Sequence, residues 1–281
     1  MELFCEIRKD KEMTSKKIGF IGCNNMNGAI LFGALESKVI LKENVVVFDI
    51  SPKVIEKMKS IGVKVVENNK KLCEESDIIV LGTKPHHVKQ AIEQCEEGLV
   101  GKVLISVAAG ISIDELRKMT SGKTRILRTM PNTPAMVGAG VTAFCLETDL
   151  SEEEKEEVVQ LFEGIGTVEW VEERLINVVA AISGSGPAFL SMFVEAMADG
   201  GVKNGLTRDL AYKLAAETIV GTGKMLLEAN LHPGQLKDMV SSPGGTTIEG
   251  IKALEKGGFR HAIIDCIDVS TEKATKLTIH T

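Results

Sequence analysis

Two short runs near the carboxyl end of the chain combine glycines, hydroxyl side chains and one proline directly ahead of apolar, helix-like stretches. They are Ser183-Gly-Ser-Gly-Pro187 and Ser241-Ser-Pro-Gly-Gly-Thr-Thr-Ile248. Glycine allows a backbone to approach a ligand closely. The first-turn amides of a helix lack internal partners and the helix dipole is positive there, so hydroxyls and N–H groups at such a start can hold an anion. Two such runs indicate a small anionic ligand.

A second set of residues, near the amino end, has the order typical of a dinucleotide site. An apolar run at residues 17–21 is followed by Gly22 and a helical stretch, and a second apolar run ends in Asp49. The glycine gives a tight turn, and the acid can accept a hydrogen bond from a ribose hydroxyl. The glycine pattern is incomplete, because Asn24 and Asn27 stand where glycine or another small residue is usual. These parts leave two interpretations open, a dinucleotide site or a similar domain that binds nothing.

The elements that must position these residues follow from the apolar periodicity. Strand-like runs alternate with helical stretches, which implies βαβ units and a parallel sheet with both faces covered. The sequences Ser112-Ile-Asp-Glu115 and Ser151-Glu-Glu-Glu154 fit the capping box and mark two helix starts. The predicted strands cover residues 17–21, 45–48, 63–66, 77–81, 103–107, 125–127, 141–145 and 167–171.

The strand pattern stops after residue 172, and helical periodicity replaces it. The predicted fold is therefore α/β, a Rossmann-like doubly wound sheet over residues 16–172 followed by an all-α domain over residues 173–281. The second helix of this domain, beginning near Thr207, is apolar around most of its circumference and must be buried. A helical domain of this size forms only a small core, so part of its apolar surface is expected to meet another subunit.

Composition limits the function classes. The chain has 281 residues, 44% hydrophobic and 26% charged, with a net charge of −6, which gives no electrostatic support for a nucleic-acid partner. No apolar run is expected to span a membrane. Residues 1–15 mix charges with few apolar residues and predict a flexible extension rather than a signal peptide. The six cysteines include no CxxC pair, which favours reduced thiols in a cytoplasmic protein and predicts no metal site.

Several motifs together resemble the pyrroline-5-carboxylate reductase family. The match runs in order from about residue 17 to residue 276 and includes the Ser241 run, Ile182-Ser-Gly-Ser-Gly-Pro-Ala-Phe189, His232-Pro-Gly-Gln-Leu-Lys-Asp238, Thr83-Lys-Pro85, Met130-Pro-Asn-Thr-Pro134 and Ala198-Asp-Gly-Gly-Val202. The resemblance implies a Rossmann domain and a helical domain that interlocks with its partner in a homodimer or larger homo-oligomer. It also implies reduction of 1-pyrroline-5-carboxylate to proline, the last step of proline biosynthesis, with NADPH or NADH.

The resemblance assigns the substrate to the second glycine run. The carboxylate of the cyclic imine suits the amides at a helix start, and no arginine is required. Thr247 matches a family position that contacts the ring nitrogen, so it is the predicted catalytic residue, although a hydroxyl is a poor acid and the proton is expected from water or from the iminium substrate. The predicted substrate-binding residues are Ser242, Gly244, Gly245, Thr246 and Thr247.

The resemblance assigns the cofactor to the first domain. Asp49 would repel a 2′-phosphate and favour NADH, whereas Ser51 and Lys53 would favour NADPH, so both cofactors remain open. The predicted cofactor-binding residues are Gly22, Cys23, Asn24, Asn25, Met26, Asp49, Ser51, Asn69, Gly82, Thr83, Lys84, Pro85 and Asn132.

Two other functions compete with the reductase. One is a related imine or β-hydroxyacid dehydrogenase on the same architecture, which would use Lys203 or Lys224 as a proton donor. The other is a non-catalytic Rossmann dimer with a degenerate cofactor loop, which the asparagines Asn24 and Asn27 suggest.

Overall fold

The computed structural model describes residues 15–279, so the extension predicted over residues 1–15 lies outside the described residues except for Ser15. The chain divides into two compact units. The first comprises the residues up to Gly184 together with those from Thr271, and the second is Ser185–Ser270. The division therefore falls later than the expected boundary at residue 172, and the end of the last helix belongs to the first unit.

A single sheet organises the first unit, and its eight strands match the eight predicted runs. They are β1 (Ile18–Ile21), β2 (Val45–Phe48), β3 (Lys64–Val65), β4 (Ile78–Leu81), β5 (Val103–Ser106), β6 (Arg125–Met130), β7 (Gly140–Cys145) and β8 (Gly166–Val171). Their order is β3-β2-β1-β4-β5-β6-β7-β8. The first six strands thus have the doubly wound order, with the topological switch between β1 and β4, where ligands bind in such sheets.

One pair of strands departs from the parallel arrangement that the sequence predicted. Strands β6 and β7 are antiparallel, whereas the other neighbours are parallel. The residues between β6 and β7 contain only the short 3-10 helix Thr133–Val137. A parallel connection needs a crossover of a dozen or more residues, so this short link reverses the chain direction.

Helices cover both faces of the sheet because alternate strand residues enter two separate apolar clusters. Phe20 and Val80 belong to one cluster, and their neighbours Ile21 and Leu81 belong to the other. The helices of this unit are α1 (Asn25–Glu36), α2 (Pro52–Ser60), α3 (Asn69–Glu74), α4 (Pro85–Glu93), α5 (Glu96–Leu99), α6 (Ile113–Met119), α7 (Glu152–Glu163) and α8 (Ile176–Val179). A π-helix, Ala180–Gly184, follows α8.

Both predicted capping boxes are present. The Ser112 hydroxyl accepts from the Glu115 N–H at the start of α6, and the Glu115 carboxylate accepts from the Ser112 N–H. Ser151 and Glu154 repeat this arrangement at the start of α7. Each box satisfies two backbone donors that the helix leaves without internal partners.

The second unit is helical, as predicted. Its elements are α9 (Gly186–Lys203), α10 (Arg208–Glu228), α11 (Pro233–Val240), α12 (Thr246–Lys256) and the first part of α13 (Phe259–Ile279). Thr207 precedes α10, but its side chain makes no capping hydrogen bond. Few residues of these helices are buried, and many large apolar side chains are exposed, among them Leu190, Met192, Leu214, Val220, Leu227, Met239 and Ile264.

One helical stretch corrects the expectation that no segment is long and apolar enough for a membrane. Within residues 15–279, Glu173–Lys203 meets that criterion by length and composition, and 11% of its apolar window is buried. The sequence analysis missed it because serines and glycines interrupt the apolar run without lowering its mean hydropathy below that of a spanning helix.

Candidate functional site

The glycine turn after β1 has the geometry that a dinucleotide site needs. Gly22 has φ +73°, a conformation that favours glycine, and its N–H donates to the Phe48 carbonyl oxygen at 2.8 Å. A Cβ on Gly22 would lie 3.4 Å from the Thr83 Cγ2 atom. The turn therefore joins the carboxyl ends of β1, β2 and β4 at the topological switch.

Asn24 does not need the positive φ that a glycine at its position would suggest. Its backbone is extended, with φ −70° and ψ −163°, and it is the N-cap of α1. The side-chain oxygen accepts from the Met26 N–H at 3.2 Å, and the side-chain nitrogen donates to the Gly82 carbonyl oxygen at 2.8 Å. Asn24 thus caps the helix and ties the first loop to the end of β4, while Asn25 and Met26 form the first turn of α1.

Asn27 lies beneath this loop and is fully buried. Its side-chain nitrogen donates to the Gly22 carbonyl oxygen at 2.6 Å and approaches the Val80 carbonyl oxygen at 3.3 Å. Its side-chain oxygen has no partner among the described residues. A Cβ on Gly82 would overlap the Asn27 amide. The larger residue at position 27 is therefore accommodated by the glycine at position 82.

Asp49 holds two backbone amides rather than projecting freely. One carboxylate oxygen accepts from the Cys23 N–H at 2.6 Å and the other from the Ser51 N–H at 2.8 Å. Each oxygen keeps a second acceptor site, which leaves room for a ribose hydroxyl. Burial, followed by the Asp49 charge, raises the pKa of the Cys23 thiol to about 12, so this thiol is neutral and takes no part in acid–base chemistry.

Four predicted cofactor residues, Gly82 to Pro85, follow β4. Thr83 is half-buried, yet its hydroxyl oxygen is buried and without a partner among the described residues. Lys84 is the exposed N-cap of α4, and Pro85 is its first residue. An unpartnered buried hydroxyl costs free energy unless a ligand or water satisfies it. This hydroxyl, the Gly22 turn and the capped start of α1 together fit a dinucleotide.

A cleft borders the glycine loop. It has a volume of about 800 Å³ and lies between α1, α2 and the loop before β7. Asn24 and Asn25 line one wall, and Lys53 and Lys57 line another. The amino group of Lys57 lies 4.4 Å from the centre of the Phe32 ring. The cleft places two cations beside the loop where a phosphate is expected.

Two predicted cofactor residues, Asn69 and Asn132, have protein partners of their own. The Asn69 side chain is buried; its nitrogen donates to the Gln94 side-chain oxygen at 2.8 Å, and its oxygen has no partner among the described residues. Asn132 is 8% exposed, and its amide bonds to the Val141 N–H and to the Ser183 carbonyl oxygen. The structure therefore brings together Gly22, Cys23, Asn24, Asp49, Ser51 and Gly82. Each of these two amides has a protein partner, but the Asn69 oxygen has none among the described residues.

Sequence analysis missed a partly buried ion pair near the carboxyl end of β6. The guanidinium of Arg128, 5% exposed, donates to the Glu173 carboxylate at 2.7 Å, and the same carboxylate oxygen accepts from the Ile113 N–H. Arg128 also lines a small, mostly apolar cavity of about 170 Å³ beside Pro85 and Met130. The available signal was Arg128, a charged residue directly after the apolar pair Ile126-Leu127.

The second unit contains the predicted substrate turn. The Gly245 N–H donates to the Ser242 carbonyl oxygen at 3.1 Å, and Gly244 has φ +69°. With Pro243 at the second position, this is a type II turn. A Cβ on Gly245 would lie 2.5 Å from the Ser242 hydroxyl oxygen. Gly245 is the N-cap of α12, so the turn delivers the unpaired first-turn amides, including those of Thr246 and Thr247, to one exposed edge.

The helix before this turn is firmly capped. The Nδ1 atom of His232 accepts from the Gly234 N–H at 3.0 Å, and the Gln235 side chain accepts from the His232 N–H at 3.2 Å. The Ser241 hydroxyl donates to the Lys237 carbonyl oxygen at 2.7 Å. These bonds fix both ends of α11, the helix that leads into the turn at residues 242–245.

The first glycine run lacks the geometry of the second. The Ser183 hydroxyl donates to the Val179 carbonyl oxygen at 2.9 Å within the π-helix. Ser185, the N-cap of α9, has helical dihedral angles and makes no side-chain capping bond. The expectation that both runs hold an anion is therefore supported by local geometry only for residues 241–248.

Comparisons with known proteins match both halves of the chain. A family model described as "Pyrroline-5-carboxylate reductase dimerisation" matches residues 173–277, and one described as "NADP oxidoreductase coenzyme F420-dependent" matches residues 17–110. The chain is 40% identical to a pyrroline-5-carboxylate reductase of Escherichia coli, over 94% of this chain and 98% of the relative, and 38% identical to one of Arabidopsis thaliana, over 94% and 96%.

A solved structure gives the same result. The crystal structure of Plasmodium falciparum pyrroline carboxylate reductase with NADP bound superimposes with a TM-score of 0.86 and 32% identity. The superposition covers 95% of this chain and all of the other.

Proposed function

The chain belongs to the pyrroline-5-carboxylate reductase family, and we propose that it is an oxidoreductase that reduces 1-pyrroline-5-carboxylate to L-proline with NADPH or NADH, the last step of proline biosynthesis. The observation that carries this proposal is the likeness to reductases of this name over 94% of the chain. The turn at residues 242–245 would hold the small carboxylate that this reaction needs, and the glycine loop after β1 would hold the dinucleotide.

The cofactor would be held by the loops at the carboxyl ends of β1, β2 and β4. The amides of residues 22–26 would face the pyrophosphate, with Asp49 and Ser51 near the ribose and residues 82–85 along the other side. The reduced nicotinamide supplies a hydride when the cofactor is bound. The Asp49 carboxylate already accepts two N–H donors, and Lys53 lines the adjoining cleft. The negative charge of Asp49 is thus partly offset by its N–H donors and by a nearby lysine, so NADPH is the first cofactor to test.

The substrate carboxylate would bind at the start of α12. The first-turn amides of this helix, with the Ser242 hydroxyl, provide donors of the kind that hold a carboxylate. Gly244 and Gly245 make this arrangement possible, because one has a positive φ and the other lies against the Ser242 hydroxyl oxygen. The same contacts would hold the carboxylate of the product, proline.

The Thr247 hydroxyl is proposed to orient the ring nitrogen of the imine. Thr247 is half-buried one residue into α12, beside the amides assigned to the carboxylate. Because a hydroxyl is a weak acid, we assign the proton on nitrogen to water or to the iminium form of the substrate. Catalysis then rests on holding the imine carbon in line with the hydride donor, and such orientation can supply several kcal/mol, about 7 or more, of the barrier reduction.

The helical unit is proposed to form the interface of a homodimer. Its α9–α13 helices expose large apolar side chains, including Leu227 at 85% and Met192 at 69%. A monomer rarely exposes apolar surface on this scale unless it binds a partner. Burial against a second copy would also explain why the stretch Glu173–Lys203 is so apolar, and no membrane is then needed to cover it. We further propose a cytoplasmic location, because the buried cysteines of the described residues are free thiols.

A substrate panel tests the proposed reaction. The full chain is mixed with NADPH or NADH and 1-pyrroline-5-carboxylate, and, in parallel, with the oxidised cofactors and a set of β-hydroxy acids, while nicotinamide absorbance is followed. We expect cofactor oxidation only with the cyclic imine. Turnover with β-hydroxy acids alone would support the dehydrogenase instead, and calorimetry without heat from either cofactor would support a non-catalytic dimer.

A further inference from the structure

The partly buried ion pair of Arg128 and Glu173 connects separate segments of the first unit. The Arg128 guanidinium, near the carboxyl end of β6, donates to a Glu173 carboxylate oxygen at 2.7 Å. The same oxygen accepts from the N–H of Ile113, the first residue of α6, at 2.8 Å. The Glu173 N–H in turn donates to the Glu147 carboxylate at 2.7 Å. The Arg128 side chain is 5% exposed, so its charge depends on Glu173 for compensation.

These contacts hold one end of the loop between β5 and α6, residues 107–112. At the other end of the loop, the Val107 N–H donates to the carbonyl oxygen of Leu81, the last residue of β4, at 3.1 Å. The loop is therefore tied to β4 where it leaves the sheet and to the Arg128–Glu173 pair where it enters α6.

This loop forms one wall of the small, mostly apolar cavity of about 170 Å³. Pro85 follows β4, Ala108 and Ala109 follow β5, and Arg128 and Met130 belong to the end of β6. The cavity therefore lies at the carboxyl ends of these three strands. All of its lining residues belong to the first unit. Since an apolar cavity of about 150 Å³ can hold a benzene ring, this one is large enough for a planar six-membered ring.

The two halves of a dinucleotide lie on opposite sides of the topological switch in a doubly wound sheet. On one side, the proposed function assigns the pyrophosphate to the glycine loop after β1 and a ribose to Asp49 after β2. The other half of the cofactor, which carries the nicotinamide, then belongs over the carboxyl ends of β4, β5 and β6. The cavity described above lies at these ends.

We propose that Arg128 is a positioning residue for the nicotinamide half of the cofactor, acting through Glu173 on the loop at residues 107–112. This role rests on the proposed function, because it assumes that the first unit binds a nicotinamide dinucleotide. Arg128 anchors the loop and forms part of the cavity wall, and it takes no part in the transfer of the hydride. The adenosine half of the cofactor, assigned to β1 and β2, does not depend on the ion pair.

The substitution Arg128→Lys tests this role at constant charge. Lysine is shorter than arginine, so it can reach Glu173 only by drawing the carboxylate away from the Ile113 N–H. Calorimetry with the full chain compares the binding of NADPH with that of 2′-phospho-ADP-ribose, which lacks the nicotinamide. We expect the Kd for NADPH to rise by about tenfold, whereas the Kd for the fragment changes by less than about twofold.

The fluorescence of bound NADPH reports the surroundings of the nicotinamide ring. The emission of the reduced ring increases when the ring leaves water for an apolar cavity. At saturating NADPH we expect a clear increase with the wild type and a smaller one with R128K, because the displaced loop opens the cavity to water. A loss of overall stability would not by itself change the emission of the bound cofactor.

Arg125→Lys is the matched control. Arg125 is on the same strand and pairs at 2.7 Å with Glu154, a carboxylate that also accepts a backbone N–H at a helix start. This pair is at the amino end of β6, away from the edge of the sheet at which ligands bind. R125K should therefore keep the wild-type Kd for both ligands and the wild-type fluorescence.

An unchanged ratio of the two Kd values in R128K would overturn the proposal, whether both ligands keep their affinity or lose it equally. If R128K fails to fold, Glu173→Asp replaces it, with Glu154→Asp as its control. The shorter carboxylate cannot reach both of its partners, so the Kd for NADPH alone should rise, and an unchanged ratio would again overturn the proposal. A wild type that binds neither NADPH nor NADH would instead refute the proposed function itself.

Discussion

The amide of Asn27 fills the space that a methyl group on Gly82 would need. Asn27 is on α1 and Gly82 follows β4, so this contact joins the helix and the strand that enclose the glycine loop. The same amide donates to the Gly22 carbonyl oxygen. Asn27, which departs from the usual glycine pattern, therefore helps to hold the Gly22 turn. Gly82, which is not part of that pattern, leaves the space that the Asn27 amide occupies.

Gly82→Ala should destabilise the protein by about 1–3 kcal/mol, because the new methyl group overlaps a buried, hydrogen-bonded amide. The double variant Asn27→Ala/Gly82→Ala should lose less than the sum of the two single variants, since the smaller residue removes the overlap. Urea unfolding measures all three. Gly28→Ala is the control, because its Cβ would meet only the Cys23 carbonyl oxygen at 3.8 Å; additive losses in the double variant would refute the contact.

Asn24→Gly restores the usual motif, yet we expect no tighter cofactor binding. The backbone of Asn24 is extended, so glycine relieves no strain, and the substitution removes hydrogen bonds to the Met26 N–H and the Gly82 carbonyl oxygen. Stability should fall by about 1 kcal/mol. Thermal unfolding and calorimetry with NADPH are compared with those of Asn25→Gly. Tighter NADPH binding at unchanged stability would show that Asn24 obstructs the cofactor.

The stability contributed by the Glu154 charge should depend on pH. Burial alone would raise the pKa of its carboxyl, but the hydrogen bond from the Ser151 N–H and the ion pair with Arg125 outweigh it and lower the pKa below its usual value. A carboxyl with a lowered pKa in the folded state stabilises the protein above its unfolded pKa, and this stability is lost as pH falls through the folded value.

Glu154→Gln should therefore be more destabilising than the exposed Glu153→Gln near neutral pH, and the gap should close as pH falls below about 4. Glutamine can retain the capping box, so the comparison isolates the charge. Urea unfolding at several pH values provides the measurement. A gap that is independent of pH would assign the effect to packing instead.

Thr247→Ala should lower kcat while leaving the Kd for NADPH nearly unchanged, because the hydroxyl is assigned to the imine nitrogen rather than to the cofactor. Thr247→Ser, which keeps the hydroxyl, should recover most of the turnover. Steady-state kinetics and calorimetry separate the two effects. Equal losses of turnover and cofactor affinity would contradict the assigned role.

The sequence predicted the strands, the helical half and both capping boxes because these features depend on local periodicity and short motifs. It did not predict the antiparallel pairing of β6 and β7, which arises because the connection between them is too short for a parallel crossover. It identified Asn24 only as a departure from the glycine pattern, whereas in the structure the side chain caps α1. The Asn132–Ser183 and Asn27–Gly82 contacts join residues about 50 positions apart, and neither has a signal in the local pattern.

The fate of a labelled hydride tests the central claim most directly. The wild-type enzyme is supplied with 1-pyrroline-5-carboxylate and NADPH carrying deuterium at the transferable position, and the product is examined by mass spectrometry and NMR. We predict proline with a single deuterium on the ring carbon that formed the imine double bond. Cofactor binding without any deuterated proline would contradict the account.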